Sequence, residues 1–92
     1  LPSYDRSTVD GYAVNVQDVY CASAAVPAFL KVVGRVKMGE MPSVEVGKGE
    51  SVAIATGAVL PKGATGVVMI ENVEVLKDEI AVYSPIKTQK TP

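Results

Sequence analysis

The stretch 51–74, SVAIATGAVLPKGATGVVMIENVE, decides the fold. Residues 52–55 (VAIA) read as a buried strand that Thr56 and Gly57 stop. Pro61, Lys62 and Gly63 turn the chain, and residues 67–70 (VVMI) form a second, wholly apolar strand running into Glu71. A short apolar run bounded by Gly on one side and a charge on the other suits a core strand. Polar groups mark opposite ends of this strand pair, Thr56 with Gly57 at one and Glu71 with Asn72 at the other. A rigid β scaffold with small polar groups at its strand ends is a common way to present a site.

Working outward, Asp10-Gly11 is a turn pair that delivers a short strand at 12–14 (YAV). Residues 29–36 (FLKVVGRV) alternate, with Phe29, Lys31, Val33 and Arg35 on one face, Leu30, Val32 and Val36 on the other, and Gly34 as a bulge. Residues 38–46 form a Gly/Pro loop ending in a short alternating stretch, and Gly47-Lys48-Gly49 turns the chain into the strand at 52. Residues 73–76 and 80–83 predict a hairpin around a turn at 77–79. Only 15–25, where Val16, Val19 and Tyr20 recur at helical spacing, predicts a turn or two of helix, ended before Pro27. Before Asp10 the chain reads as extended, with Asp5 and Ser7 as side chains that bond nearby backbone. The expected class is all-β, a single domain over 1–92 with short strands in a barrel-like or coiled, bifurcated sheet.

Composition agrees. Val is the commonest residue, with one Phe and no Trp, a bias toward strands. Nine basic residues against ten acidic ones, with no basic block, leave no electrostatic footprint for nucleic acid. No apolar run approaches the ~20 residues needed to span a bilayer. The single Cys21 excludes an internal disulfide, fits a reducing compartment and reads as a small, partly buried filler. A start at Leu1 without Met and a polar KTQKTP end lead to the expectation of a cytoplasmic domain cut from a larger protein.

With no His and one Cys, Cys/His zinc sites and His-based triads are excluded, and neither nucleotide-binding glycine motif occurs. Oxygen chemistry remains. Asp10 reads either as a turn former or as a carboxylate for Mg²⁺, a hard ion often held by one or two carboxylates plus substrate phosphates. Gly11 behind it would let a bulky ligand approach the backbone. Thr56-Gly57 is either a strand terminus or a hydroxyl with exposed N–H groups suited to an oxyanion. The oxyanion reading needs a cation from elsewhere, because no Arg or Lys falls inside the motif. Ser7 caps a turn or lines the same cleft, Glu71 is a solvated strand end or a cleft carboxylate, and Lys48 and Lys62 are solubilising turn residues.

Two segments also resemble a known family. ATGAVLPKGATGVVMIENVE is similar to the TGA-x-x-P-x-G-A-x-x-VV-x-x-E segment of the molybdenumtransferases, the MoeA and gephyrin E-domain proteins. LPSYDRSTVDGYAV is similar to that family's LP-x-x-D-x-S-x-x-DGYA segment, and the two stand in the family's order. The resemblance implies a region of a protein that inserts molybdenum from molybdate into adenylylated molybdopterin, with Mg²⁺ involved and AMP released. It implies a homodimer in which this domain faces the pterin-binding domain of the other subunit, so the 92 residues alone are expected to be inactive. It gives Asp10 as catalytic residue and metal ligand, Thr56 as catalytic, and Ser7, Gly57 and Glu71 as substrate contacts. The sequence departs from the family pattern at Thr65, where an Asp is usual, and at Arg6, where an Asn is usual. Other readings are a gephyrin-like interaction module and a structural dimerisation domain.

Overall fold

A computed structural model describes residues 10–83. The expectations at Asp5, Arg6 and Ser7 lie outside the described residues. Six strands follow one another: β1 (Gly11–Val14), β2 (Ala28–Val36), β3 (Glu50–Ile54), β4 (Gly66–Met69), β5 (Val73–Val75) and β6 (Glu79–Val82). They make one curled, half-barrel sheet in the order β4-β1-β3-β2-β6-β5, and the described residues contain no α-helix. The all-β expectation holds. Where helical spacing predicts a turn or two of helix, the chain makes a single 3-10 turn, Val16–Asp18, capped by Asn15.

The strands at the centre of the quoted stretch are not neighbours. β1 lies between β3 and β4 and pairs antiparallel with both: Gly11 faces Ile54 on one side and Met69 on the other. β3 and β4 therefore run in the same direction, and Thr56 and Glu71 follow strand ends at one edge of the sheet rather than at opposite ends. β2 runs parallel to β3, so its last residue, Val36, comes level with Ile54 at that same edge. A parallel pair needs a long connection, which is why 37–49 is a loop. Its alternating end forms no strand; Val44 and Val46 pack into the core instead.

Alternation gives the sheet two apolar faces. Ala13, Val36, Val52, Ile54 and Val67 point to one, where Val46, Ala58 and Leu60 from the loops cover them. Val14, Leu30, Val68, Ile80 and Val82 point to the other, under Val19 and Ala22. Full burial of such a side chain stabilises by roughly 1.5–3 kcal/mol, and with so many small residues the core depends on close backbone packing. Ser51, buried within the sheet, satisfies its hydroxyl by donating to the Lys31 carbonyl at 3.1 Å. The bulge expected at Gly34 is there, with the β2–β3 register shifting between Val32 and Gly34. The hairpin is also as expected, Leu76 N–H donating to the Glu79 carbonyl at 2.8 Å and Tyr83 hydroxyl to Glu74 at 2.6 Å. Cys21 is exposed, not a partly buried filler, because the turn after Val16–Asp18 directs Val19 and Ala22 inward instead.

Gly11 serves the sheet. A Cβ at this position would lie 2.0 Å from the Val68 carbonyl oxygen, so β1 and β4 close only around glycine. Backbone cannot rotate away as a side chain can. Gly11→Ala is therefore expected to destabilise the chain by at least about 2 kcal/mol in chemical denaturation. Gly39→Ala, at a left-handed glycine with open space around it, should cost only the roughly 1–2 kcal/mol of its backbone conformation.

Candidate active site

The residues just beyond the level row Met69–Gly11–Ile54–Val36 are Ile70, Asp10, Ala55 and Lys37. Ladder-like bonds extend into this row: Ile70 N–H donates to the Asp10 carbonyl at 3.2 Å, and Ala55 N–H to the Val36 carbonyl at 3.3 Å. Four separate chain segments thus end side by side. They line a cleft of about 320 Å³ together with Tyr12, Arg35 and Ala53.

Asp10 and Thr56, 46 residues apart in sequence, meet here. Oδ1 of Asp10 accepts from the Thr56 backbone N–H at 2.7 Å and from the Thr56 hydroxyl at 2.9 Å. Both donors fall on one oxygen, so neither occupies the second. The backbone donor first, and the hydroxyl after it, hold the Asp10 carboxyl below its ordinary 3.8, because each bond favours the charged form. At neutral pH the cleft therefore carries a fixed, oriented carboxylate.

Gly57 turns the chain out of β3 in a left-handed conformation, φ +87°, and Ala58 N–H donates to the Ala55 carbonyl at 3.0 Å to close the turn. A Cβ on Gly57 would lie 3.0 Å from the sulfur of Met38, so one side of this residue is covered by a thioether. Glu71 lies on the exposed 3-10 turn Ile70–Asn72, one residue beyond Ile70 in the cleft wall. The structure thus joins Asp10 to Thr56, with Gly57 next along the chain; Glu71 follows Ile70, and Thr56, Gly57 and Glu71 are not among the residues that line the cleft. The basic residues at the cleft come from another strand. Arg35 and Lys37, at the end of β2, line the same cleft as Asp10. Alternation alone puts Arg35 on a face with Phe29, Lys31 and Val33; the parallel pairing of β2 with β3, which no local pattern states, brings it to the cleft.

Among the described residues no group of three or more Asp, Glu, His or Cys side chains converges as a metal site. A cation here would take one protein carboxylate, Asp10, and complete its shell with water and substrate oxygens. That donor set fits Mg²⁺, which dehydrates reluctantly and is commonly bound in this way. The departure at Thr65 is also accounted for. Its Oγ1 accepts from Val16 N–H at 2.9 Å, a task that the carboxylate of an Asp would perform equally well.

The chain matches the family model for the MoeA N-terminal region (domain I and II) over residues 1–91. It belongs to this family. It is 42% identical over 87 residues to the molybdopterin molybdenumtransferase of Synechococcus elongatus, covering 94% of this chain and 22% of that protein. Over 87 residues it is 34% identical to the enzyme of that name from Bacillus subtilis, covering 95% of this chain and 20% of the relative. A solved molybdopterin biosynthesis MoeA protein from Pyrococcus horikosii superposes with a TM-score of 0.91 at 48% identity, over 95% of this chain and 22% of that one. The chain thus spans about a fifth of the length of the relatives it matches.

The Asp10–Thr56 bonds lead to a titration outcome. A carboxyl with a depressed folded pKa contributes stability above its unfolded value and loses it as pH falls through the folded one. Melting temperatures of the wild type and Asp10→Asn should therefore differ by a constant amount at neutral and mildly acid pH and converge only below 3.8. In Thr56→Val the Asp10 pKa, followed by NMR, should rise only part of the way, since the stronger backbone donor remains. Thr56→Ser should leave it unchanged.

Proposed function

We propose that this domain forms one wall of an active site that inserts molybdate-derived molybdenum into adenylylated molybdopterin. Family membership and the names of the relatives support molybdenum cofactor synthesis as the setting. The observation that carries the assignment to this cleft is the Asp10 carboxylate, fixed by Thr56 through two bonds to one oxygen and set against Arg35 and Lys37. Asp10 and Thr56 are the catalytic pair in this reading. Gly57 and Glu71 contact substrate, as does Ser7 from the segment before Asp10.

Asp10 would hold Mg²⁺, which when bound supplies charge neutralisation for phosphate oxygens. Thr56 fixes the carboxylate's orientation, so no conformational freedom is lost when ligand arrives. Arg35 and Lys37 attract the anions that Asp10 alone would repel. The other wall comes from the pterin-binding domain of a second subunit in a homodimer, and the protein works in the cytoplasm. A domain holding half of a shared site does not insert metal alone. No helix among the described residues is long and apolar enough to cross a membrane.

Asp10→Asn in the full-length protein tests the reading. The amide oxygen still accepts from both Thr56 donors, so the variant should fold, its melting temperature lower only by the modest amount that the carboxylate's charge adds to those bonds. A neutral amide is a poor ligand for a hard dication, and molybdenum insertion should fall at least about tenfold, or roughly 1.4 kcal/mol of transition-state stabilisation. Equal insertion rates at equal stability would leave Asp10 as a structural turn residue.

A further inference from the structure

Two clefts open side by side on the sheet and share Tyr12, Arg35 and Ala53 as a common wall. The first is the Asp10 cleft of about 320 Å³; the second, about 400 Å³, runs on to Val32, Val75, Leu76 and Lys77. The shared residues form one cross-strand row, since Ala53 pairs with Tyr12 on one side and with Arg35 on the other. Side chains opposite one another across strands point to the same face. Arg35 therefore stands between the two clefts, within reach of a ligand in either.

The two ends differ in chemistry. Arg35, Lys37 and Lys77 line the pair of clefts, against Asp10 as their one acidic lining residue. Asp10 itself is already engaged by Thr56. The first cleft thus combines two cations with the Asp10 carboxylate, whereas beyond the shared wall the second is lined by Val32, Val75 and Leu76, with Lys77 beside them. A bare oxyanion would use only the first. A ligand with a charged group and an organic body would use both.

The geometry points to an organic phosphate as the occupant, its phosphate between Arg35 and Lys37 and its organic part along Val32, Val75 and Leu76. The guanidinium of Arg35 presents a planar fork that matches a phosphate, and Lys37 adds a point charge. This assignment rests on the reading of the Asp10 cleft as a substrate site. It adds the residues of this chain that receive the substrate's phosphate and the direction in which its body extends.

Calorimetric titration of the full-length protein in Mg²⁺-free buffer, with AMP, inorganic phosphate and molybdate as probes, tests it. AMP should bind at least about tenfold more tightly than inorganic phosphate. The double variant Arg35→Gln, Lys37→Gln should weaken AMP at least about tenfold, with a shallower salt dependence and an unchanged melting temperature. Leu76→Gln, at a partly exposed position, should weaken AMP by about threefold or more while leaving phosphate unaffected. The inference falls if the wild type binds no AMP, if AMP and phosphate bind alike, or if the double variant keeps AMP and loses only molybdate. Asp10→Asn separates this result from the broader reading. Without Mg²⁺ it should bind AMP at least as well as the wild type, because it removes a negative charge. Lost insertion in Asp10→Asn with intact AMP binding in the double variant would overturn the phosphate seat and leave the catalytic reading standing.

Discussion

Four residues hold the site together. β1, Gly11–Val14, carries two antiparallel ladders at once, to β3 on one side and β4 on the other. Because both partners oppose β1, both run the same way, and their ends emerge beside its beginning. β2, parallel to β3, adds a further end at that edge. The convergence of Asp10, Thr56, Ile70 and Lys37 follows from strand direction alone. The tight β1–β4 approach needs Gly11, since the space a side chain would occupy is taken by the Val68 carbonyl.

The chemistry of the edge depends on one oxygen. Thr56 delivers its backbone N–H and its hydroxyl to Oδ1 of Asp10, and these bonds keep the carboxyl ionised and oriented. A free surface aspartate would sample several rotamers and orient a ligand poorly. A carboxylate restrained in this way is pre-organised, and that restraint comes from the turn at Gly57 rather than from burial. Arg35 and Lys37 line the same cleft, so both signs of charge stand together at this edge.

Local features of the fold were legible in the sequence. Val-rich alternation marked the strands, Gly34 marked the bulge, and the 73–83 segment marked the hairpin, because each is a short-range property of neighbouring residues. Pairing between distant segments was not legible. The two apolar strands around the Pro61–Gly63 turn read as partners, yet β1, from far upstream, lies between them. The same limit governed the site. Asp10, Thr56 and Gly57 carried recognisable motifs, whereas Arg35 and Lys37 belong to the cleft only through the parallel register of β2 with β3. Glu71 read as the opposite end of the strand pair for the same reason, and strand direction brings it to the shared edge.

The ladder between β1 and its partners also bears on the order in which the chain can assemble. Asp10 and Thr56 are 46 residues apart, and Thr65 reaches Val16 across 49. Among the described strand pairs, β5–β6 is the one joined by a tight turn. Closing long loops costs entropy before the contacts return it, so topologies dominated by distant pairings fold slowly. The hairpin can form early, but the carboxylate acquires its two donors only after β1 has docked between β3 and β4. An intermediate lacking β1 would retain much of β2, β5 and β6 and have no site at all, so binding competence in this domain reports on completion of the whole fold.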